Sequence, residues 1–148
     1  MGRVSAEPRK KVYLDANIII YAVEGFADLA DQIRALLAAL DGMEIVAMTS
    51  ELTLAEVLVK PLKDQSQTAE QAYKTFLTPT PVLQLIPISR DVLEEAARLR
   101  AATTLKLPDA IHLATANSEG CDSFLTNDDL FKPIGAANVK ILSEINLI

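Results

Sequence analysis

Short apolar runs of strand length alternate in this chain with stretches whose apolar residues recur at helical spacing, and that alternation constrains its fold most. Val12-Tyr13-Leu14 reads as a buried strand, Asp15-Ala16-Asn17 punctuates it, and residues 18–23 start a helix that Gly25 breaks. Leu29, Ile33, Leu36, Leu37 and Leu40 then repeat at helical spacing until Gly42 stops the run. Residues 44–48 form the second expected strand, and Thr49 or Ser50 caps a helix predicted to end at Pro61. Residues 62–71, the most polar stretch, are expected to be a loop entering a further helix that packs through Tyr73, Phe76 and Leu77. A third strand is predicted over 82–88, and Ser89 caps a helix over 90–103. Pro108 suits the first turn of a helix over 109–118, closed by Gly120; strands four and five fall at 122–125 and 138–142. Strands alternating with helices specify a parallel sheet covered on both faces. In such sheets, sites form outside the carboxyl ends of the strands, where strand order reverses.

At 148 residues the chain is expected to be one domain, 1–148, with residues 1–10 a loosely ordered lead. Half of it is hydrophobic and 23% charged, which places it among globular proteins soluble in water. The lone Cys121 cannot form an internal disulfide, which fits a reducing cytoplasm. The longest apolar run, residues 18–23, is far too short to span a bilayer, and no apolar stretch of signal length follows the basic start. A cytoplasmic protein with no membrane partner is therefore expected. The net charge of −6 argues against broad, sequence-blind binding of nucleic acid. It does not exclude a nuclease, because clustered carboxylates inflate the negative count and a bound cation would reverse the local sign.

Four acids stand where a chain usually puts something apolar or a turn: Asp15, Glu56, Asp109 and Asp128. Asp15 follows a strand and precedes a helix, so it can cap that helix, bind a cation, or do both. Asn17 is either a turn residue or a group that orients Asp15 by hydrogen bonding. Glu56 sits among Leu52, Leu54, Ala55, Val57, Leu58 and Val59, which mark its helix as buried. It either faces a polar site or pairs with Lys60 on an exposed strip, a contact worth about 0.2–0.5 kcal/mol. Asp109 follows Pro108 at a helix start, where the helix dipole alone would favour it. Asp128 lies in Thr126-Asn127-Asp128-Asp129, which is also the composition of an ordinary turn. The weight rests on the set. Brought together without a counter-charge, these carboxylates repel, and a hard divalent cation relieves that repulsion. Oxygen-only donors point to Mg²⁺ or Mn²⁺, and the absence of a cysteine or histidine cluster points away from zinc. The single histidine, His112, shares a helix face with Asp109 and so could approach the site, but it is expected to be a packed or surface imidazole, and Cys121 to be buried and inert. Lys60, Lys63, Arg90 and Lys106 read as solvated cations that could also touch a nucleic-acid backbone. Tyr21 could stack a base or pack an apolar helix.

Taken in order, Val12-Tyr13-Leu14-Asp15-Ala16-Asn17, Glu56, Leu107-Pro108-Asp109-Ala110-Ile111-His112-Leu113-Ala114-Thr115-Ala116 and Phe124-Leu125-Thr126-Asn127-Asp128 resemble the PIN-domain nucleases. Within them the chain looks most like the VapC-like toxin ribonucleases of type II toxin–antitoxin pairs. The resemblance runs from Val12 to about Leu142, and the Pro-Asp-Ala-Ile-His-Leu-Ala run is its most specific piece. It implies an α/β/α sandwich of three layers around a central, mostly parallel sheet of about five strands. It implies a Mg²⁺- or Mn²⁺-dependent endoribonuclease acting on single-stranded or structured RNA. Asp15, Glu56, Asp109 and Asp128 would be its catalytic and metal-holding residues, with Asn17 and Thr126 as support. A homodimer and a cognate antitoxin that inserts a segment near the site are the partners it implies.

Three rivals compete. A phosphatase with a strand-end aspartate nucleophile wants a second aspartate two residues on, and this chain has Asn17 there. A phospho-accepting signalling domain needs an acceptor aspartate on a central strand, and the runs 44–48 and 82–88 end without one. The third is a PIN-like domain with little or no cleavage activity that binds RNA or protein.

Overall fold

A computed structural model describes residues 9–134 and 139–145. The strands are β1 (Lys10–Leu14), β2 (Ile45–Ser50), β3 (Leu83–Ile86), β4 (Ser123–Thr126) and β5 (Val139–Ile141). The helices are α1 (Ala16–Glu24), α2 (Ala30–Asp41), α3 (Glu51–Lys63), α4 (Gln67–Phe76), α5 (Arg90–Ala102) and α6 (Leu107–Ser118). Strand order is β3-β2-β1-β4-β5 and every pairing is parallel. The chain runs outward from β1 through β2 to β3, then returns to lay β4 on the other edge of β1. Strand order thus reverses between β1 and β4, in register Val12 to Ser123 and Leu14 to Leu125. The crevice that such a reversal opens lies beyond Leu14 and Thr126.

Alternation of side chains along each strand loads both faces of the sheet. On one face Leu14, Ala47, Leu83 and Leu125 pack against α1 to α4, through Ile18, Leu36, Val57 and Tyr73 among others. On the other, Tyr13, Met48 and Phe124 pack against α5 and α6, through Val92, Ala96, Ala110 and Leu113. This is the three-layer sandwich, with an all-parallel sheet of five strands. No helix among the described residues is long and apolar enough to cross a membrane.

Two expectations needed correction. Residues 62–71 are not a loop: α3 continues to Lys63 and α4 begins at Gln67, leaving only 64–66 between them. Pro61 does not end α3 because it is buried on the inward stripe with Thr53 and Val57, and that packing offsets the hydrogen bond its ring removes. The turn is made by Gln65 in the left-handed region (φ 52°) and by Ser66, whose Oγ accepts from the Ala69 N–H at 3.2 Å and caps α4. The other boundaries shift by a few residues. Ser50 rather than Thr49 caps α3, and α6 begins at Leu107, with Pro108 in the first turn where no N–H is needed. Lys10 already belongs to β1, while residues 1–8 and Asn138 lie outside the described residues.

Phe124 is fully buried, stacked on Tyr13 (centroids 5.2 Å apart) and tilted against Phe131 at 4.8 Å. Phe124→Ala should therefore cost about 3–5 kcal/mol of stability in a urea titration; a cost below about 1 kcal/mol would show that the α5–α6 face of the sheet is not packed as described.

Candidate active site

Asp15 ends β1 and caps α1, and the same side chain does both jobs. Its Oδ1 accepts from the Ala16 N–H at 2.8 Å, and its Oδ2 accepts from the Thr126 hydroxyl at 2.7 Å. The Asp15 N–H in turn donates to Leu125 O at 3.0 Å, joining the ends of β1 and β4. Asn17, on the first turn of α1, places its amide nitrogen 3.4 Å from Asp15 Oδ2 and 3.3 Å from Thr126 Oγ1. Its carbonyl oxygen accepts from the Asn127 N–H at 3.2 Å, and Asn127 Oδ1 accepts from the Ser143 N–H at 3.1 Å. The turn after β4 is thereby tied to α1 on one side and to the segment after β5 on the other. Asp128 sits in that turn, its N–H on Thr126 Oγ1 (3.1 Å) and its Oδ1 on the Leu130 N–H (3.0 Å). Asp129 points elsewhere, exposed and 3.6 Å from Lys132.

Glu56 reaches the same region from α3, although that helix is not buried all round as its apolar neighbours suggested, since Val59 and Leu62 are exposed. Lys60 does not pair with it either, lying 3.4 Å from Asp64. Its partner is His112, fully buried on α6, whose Nε2 stands 2.5 Å from Glu56 Oε1 and 3.9 Å from Asp15 Oδ1. His112 Nδ1 stands 2.6 Å from the hydroxyl of Tyr13, which also accepts from the Ser50 N–H at 3.0 Å. Asp109, one turn before His112 on α6, is half-buried and has no hydrogen bond or ion pair among the described residues.

Charge crowding is the electrostatic signature of the site. Burial pushes the Asp109 carboxyl up to about 6, and the negative charges of Asp15 and Asp128, then of Glu56, add to the rise. Asp15 is raised as well, by burial first, with His112, Thr126 and the Ala16 N–H pulling the other way. The four acids expected from the sequence therefore share one electrostatic environment. As their side chains are placed, no group of three His, Cys, Asp or Glu among the described residues has its donors gathered to hold a metal ion. The donor chemistry nevertheless suits a hard divalent cation: carboxylate oxygens, mutually repelling, with Asp109 unbonded and able to turn. His112 is packed, as expected, and it also approaches the acids, the alternative that its spacing from Asp109 offers. Tyr13 is the residue that sequence reading missed; its place two residues before Asp15, hence on the same side of the chain, was the available signal. Of the basic residues, Arg90 is 3.9 Å from Glu94, and Lys63 and Lys106 are exposed. Tyr21 tilts against Phe26 at 5.3 Å. Cys121 is partly buried, its thiol pushed up to about 11 by burial.

The PIN domain family model matches residues 12–136. No curated protein matches the sequence. Among solved structures, a chain of a toxin–antitoxin complex from Klebsiella pneumoniae is 31% identical, with a TM-score of 0.67 over 90% of this chain and 99% of that one. VapBC2 from Rickettsia felis, bound to a DNA fragment from its promoter, is 21% identical, with a TM-score of 0.70 over 88% of this chain and 98% of that one. The Mycobacterium tuberculosis VapC20, a sarcin–ricin-loop-cleaving toxin, is 19% identical, with a TM-score of 0.69 over 87% and 98%. The last two show the fold alone.

Asp109 gives a pH dependence whose sign is fixed. Its folded value, about 6, lies above the ordinary carboxylate value of 3.8, so its contribution to stability is full below about pH 4 and lost as pH rises through about 6. Asp109→Asn should then stabilise the metal-free protein at pH 7, by about 1 kcal/mol or less once solvent screening is allowed for, and do little at pH 4. Thermal melts at the two pH values test this; a variant less stable than wild type at pH 7 would contradict it.

Proposed function

The chain belongs to the PIN-domain family, and on that premise we propose that it is a Mg²⁺- or Mn²⁺-dependent endoribonuclease, the VapC-like toxin of a toxin–antitoxin pair. The observation that carries the reading is the crowding of Asp109 by Asp15, Asp128 and Glu56 at the point where strand order reverses. The proteins it resembles support the rest. A neighbour described as a sarcin–ricin-loop-cleaving toxin supports RNA as the substrate class, and a 31%-identical chain from a toxin–antitoxin complex supports an antitoxin as the partner. A homodimer completes the proposal, and the exposed Val59 and Leu62 on α3 offer apolar surface for association.

In this reading Asp15, Glu56, Asp109 and Asp128 would hold the cation. When bound, a divalent ion polarises a phosphoryl oxygen and makes water acidic enough to attack at neutral pH. The remaining work belongs to the chain. Thr126 and the Ala16 N–H fix both oxygens of Asp15, so its orientation is set before any ligand arrives. Asn17 and Asn127 hold the turn that carries Asp128. Asp109, without a hydrogen bond or ion pair among the described residues, would supply the adjustable carboxylate. Glu56 would also position water beside the cation. No serine, lysine or histidine nucleophile is required.

The alternative, a PIN-like module that binds without cutting, has one observation in its favour: among the described residues, no three donors are gathered in the resting side-chain arrangement. A fluorescent RNA assay, on a single strand and on a structured loop, with Mg²⁺ or Mn²⁺ and with chelator, separates the two. Cleavage should require the cation, and Asp15→Asn should lower it at least about 100-fold with the fold intact. Thr126→Val, which removes one hydrogen bond to Asp15, should cost about 10–100-fold in Mn²⁺ affinity. Cation-independent cleavage, or undiminished activity in Asp15→Asn, would remove the mechanism.

A further inference from the structure

His112 and Tyr13 are buried, polar and unused by the mechanism above. Together they form a chain of hydrogen bonds that links β2, β1, α6 and α3, and its direction can be worked out from its ends. The Ser50 N–H, at the start of α3, can only donate, so the Tyr13 oxygen accepts from it at 3.0 Å. The hydroxyl of Thr49, which also neighbours the Tyr13 hydroxyl, gives its proton to Leu14 O at 2.8 Å and pairs with Thr53 Oγ1 at 2.7 Å. His112 Nδ1, 2.6 Å from the Tyr13 oxygen, is the stronger acceptor for the Tyr13 proton, an imidazole nitrogen against a hydroxyl oxygen already bonded twice. With Nδ1 accepting, the ring proton sits on Nε2 and is donated to Glu56 Oε1 at 2.5 Å.

We propose that His112 is a positioning residue for Glu56: the relay from Ser50 N–H through Tyr13 O–H fixes the Nε2–H tautomer of His112, which holds Glu56 Oε1 and leaves Oε2 as the oxygen Glu56 offers the site. The relay also explains why an imidazole is buried beside carboxylates with every ring nitrogen bonded. Ser50, the last residue of β2, caps α3, and Glu56 lies within α3, so β1 and α6 hold that helix at its cap and again at Glu56. The ring of Tyr13 is held independently by stacking on Phe124, so its hydroxyl is aimed by packing rather than by the histidine. The consequence for catalysis rests on the nuclease reading; the tautomer and the hold on Glu56 do not.

Because His112 is the single histidine, its ring nitrogens are the only imidazole signals of the ¹⁵N-histidine-labelled full chain. A long-range ¹H–¹⁵N spectrum should show the Nε2–H tautomer in the wild type and a mixture of tautomers in Tyr13→Phe, which keeps the ring stacked on Phe124. In parallel, Mn²⁺ affinity by water-proton relaxation and kcat on RNA are compared for His112→Gln, which keeps a donor near the Nε2 position, and His112→Leu, which fills the volume without one. The leucine variant should lose about 10–100-fold in Mn²⁺ affinity, with kcat falling and KM for RNA unchanged, while the glutamine variant recovers most of both. An Nδ1–H tautomer in the wild type, or equal losses in the two His112 variants, would overturn the proposal. If Tyr13→Phe does not fold, the wild-type tautomer and the two His112 variants still decide it. A wild type that binds Mn²⁺ but cuts no RNA would sink the nuclease reading, and the spectrum and affinities would still test the relay.

Discussion

Negative charge gathered at the carboxyl ends of β1 and β4 is the constraint around which the rest of the molecule is arranged. An isolated carboxylate in a half-buried place takes up a proton more readily, and each neighbouring carboxylate adds to that tendency. Asp109 shows the sum, its carboxyl pushed up to about 6 by burial and by three acids that come from distant parts of the chain. A fold that merely needed helix caps at these places would have no reason to bring them within reach of one another. The parallel sheet does so because its order reverses between β1 and β4, which opens a crevice at the point where Asp15 leaves one strand and Asp128 follows the other.

The acids are held to different degrees, and the difference matters for how a cation would be received. Asp15 has both oxygens bonded, Asp128 has one on a backbone N–H, and Glu56 has one on His112. Asp109 has none among the described residues. In the proposed site, three acids are oriented by protein hydrogen bonds and Asp109 is the one adjustable arm. Orientation fixed in advance lowers the ordering cost of binding, and it is what distinguishes a working site from a group of acids on a surface.

Much of this was legible in the sequence, for physical reasons that apply residue by residue. Apolar runs such as Val12-Tyr13-Leu14 declare buried parallel strands because both faces of the sheet are covered, and Asp15 marks the end of one because nothing apolar would leave it there. The four acids could be picked out only as a set, because a helix cap, the helix dipole or a turn would account for Asp15, Asp109 or Asp128 singly. The α3–α4 connection was not legible: Pro61 and a polar stretch look like a break, yet burial of Pro61 and the Ser66 cap compress the connection to three residues. Nor was the use of His112. Its partner Glu56 lies 56 positions away, and its other partner Tyr13 lies 99 away, so no local pattern could join them. Long-range hydrogen bonds between single polar side chains leave no periodicity, and only the fold reveals them.

The central claim is that these carboxylates constitute one divalent-cation site, and locating the ion tests it most directly. Anomalous scattering from crystals of the full chain soaked in Mn²⁺ should place a peak about 2.1–2.3 Å from oxygens of Asp15, Asp109 and Asp128, with Asp109 turned inward to meet it. A peak absent from that crevice, or bound only by surface acids elsewhere, would contradict the account.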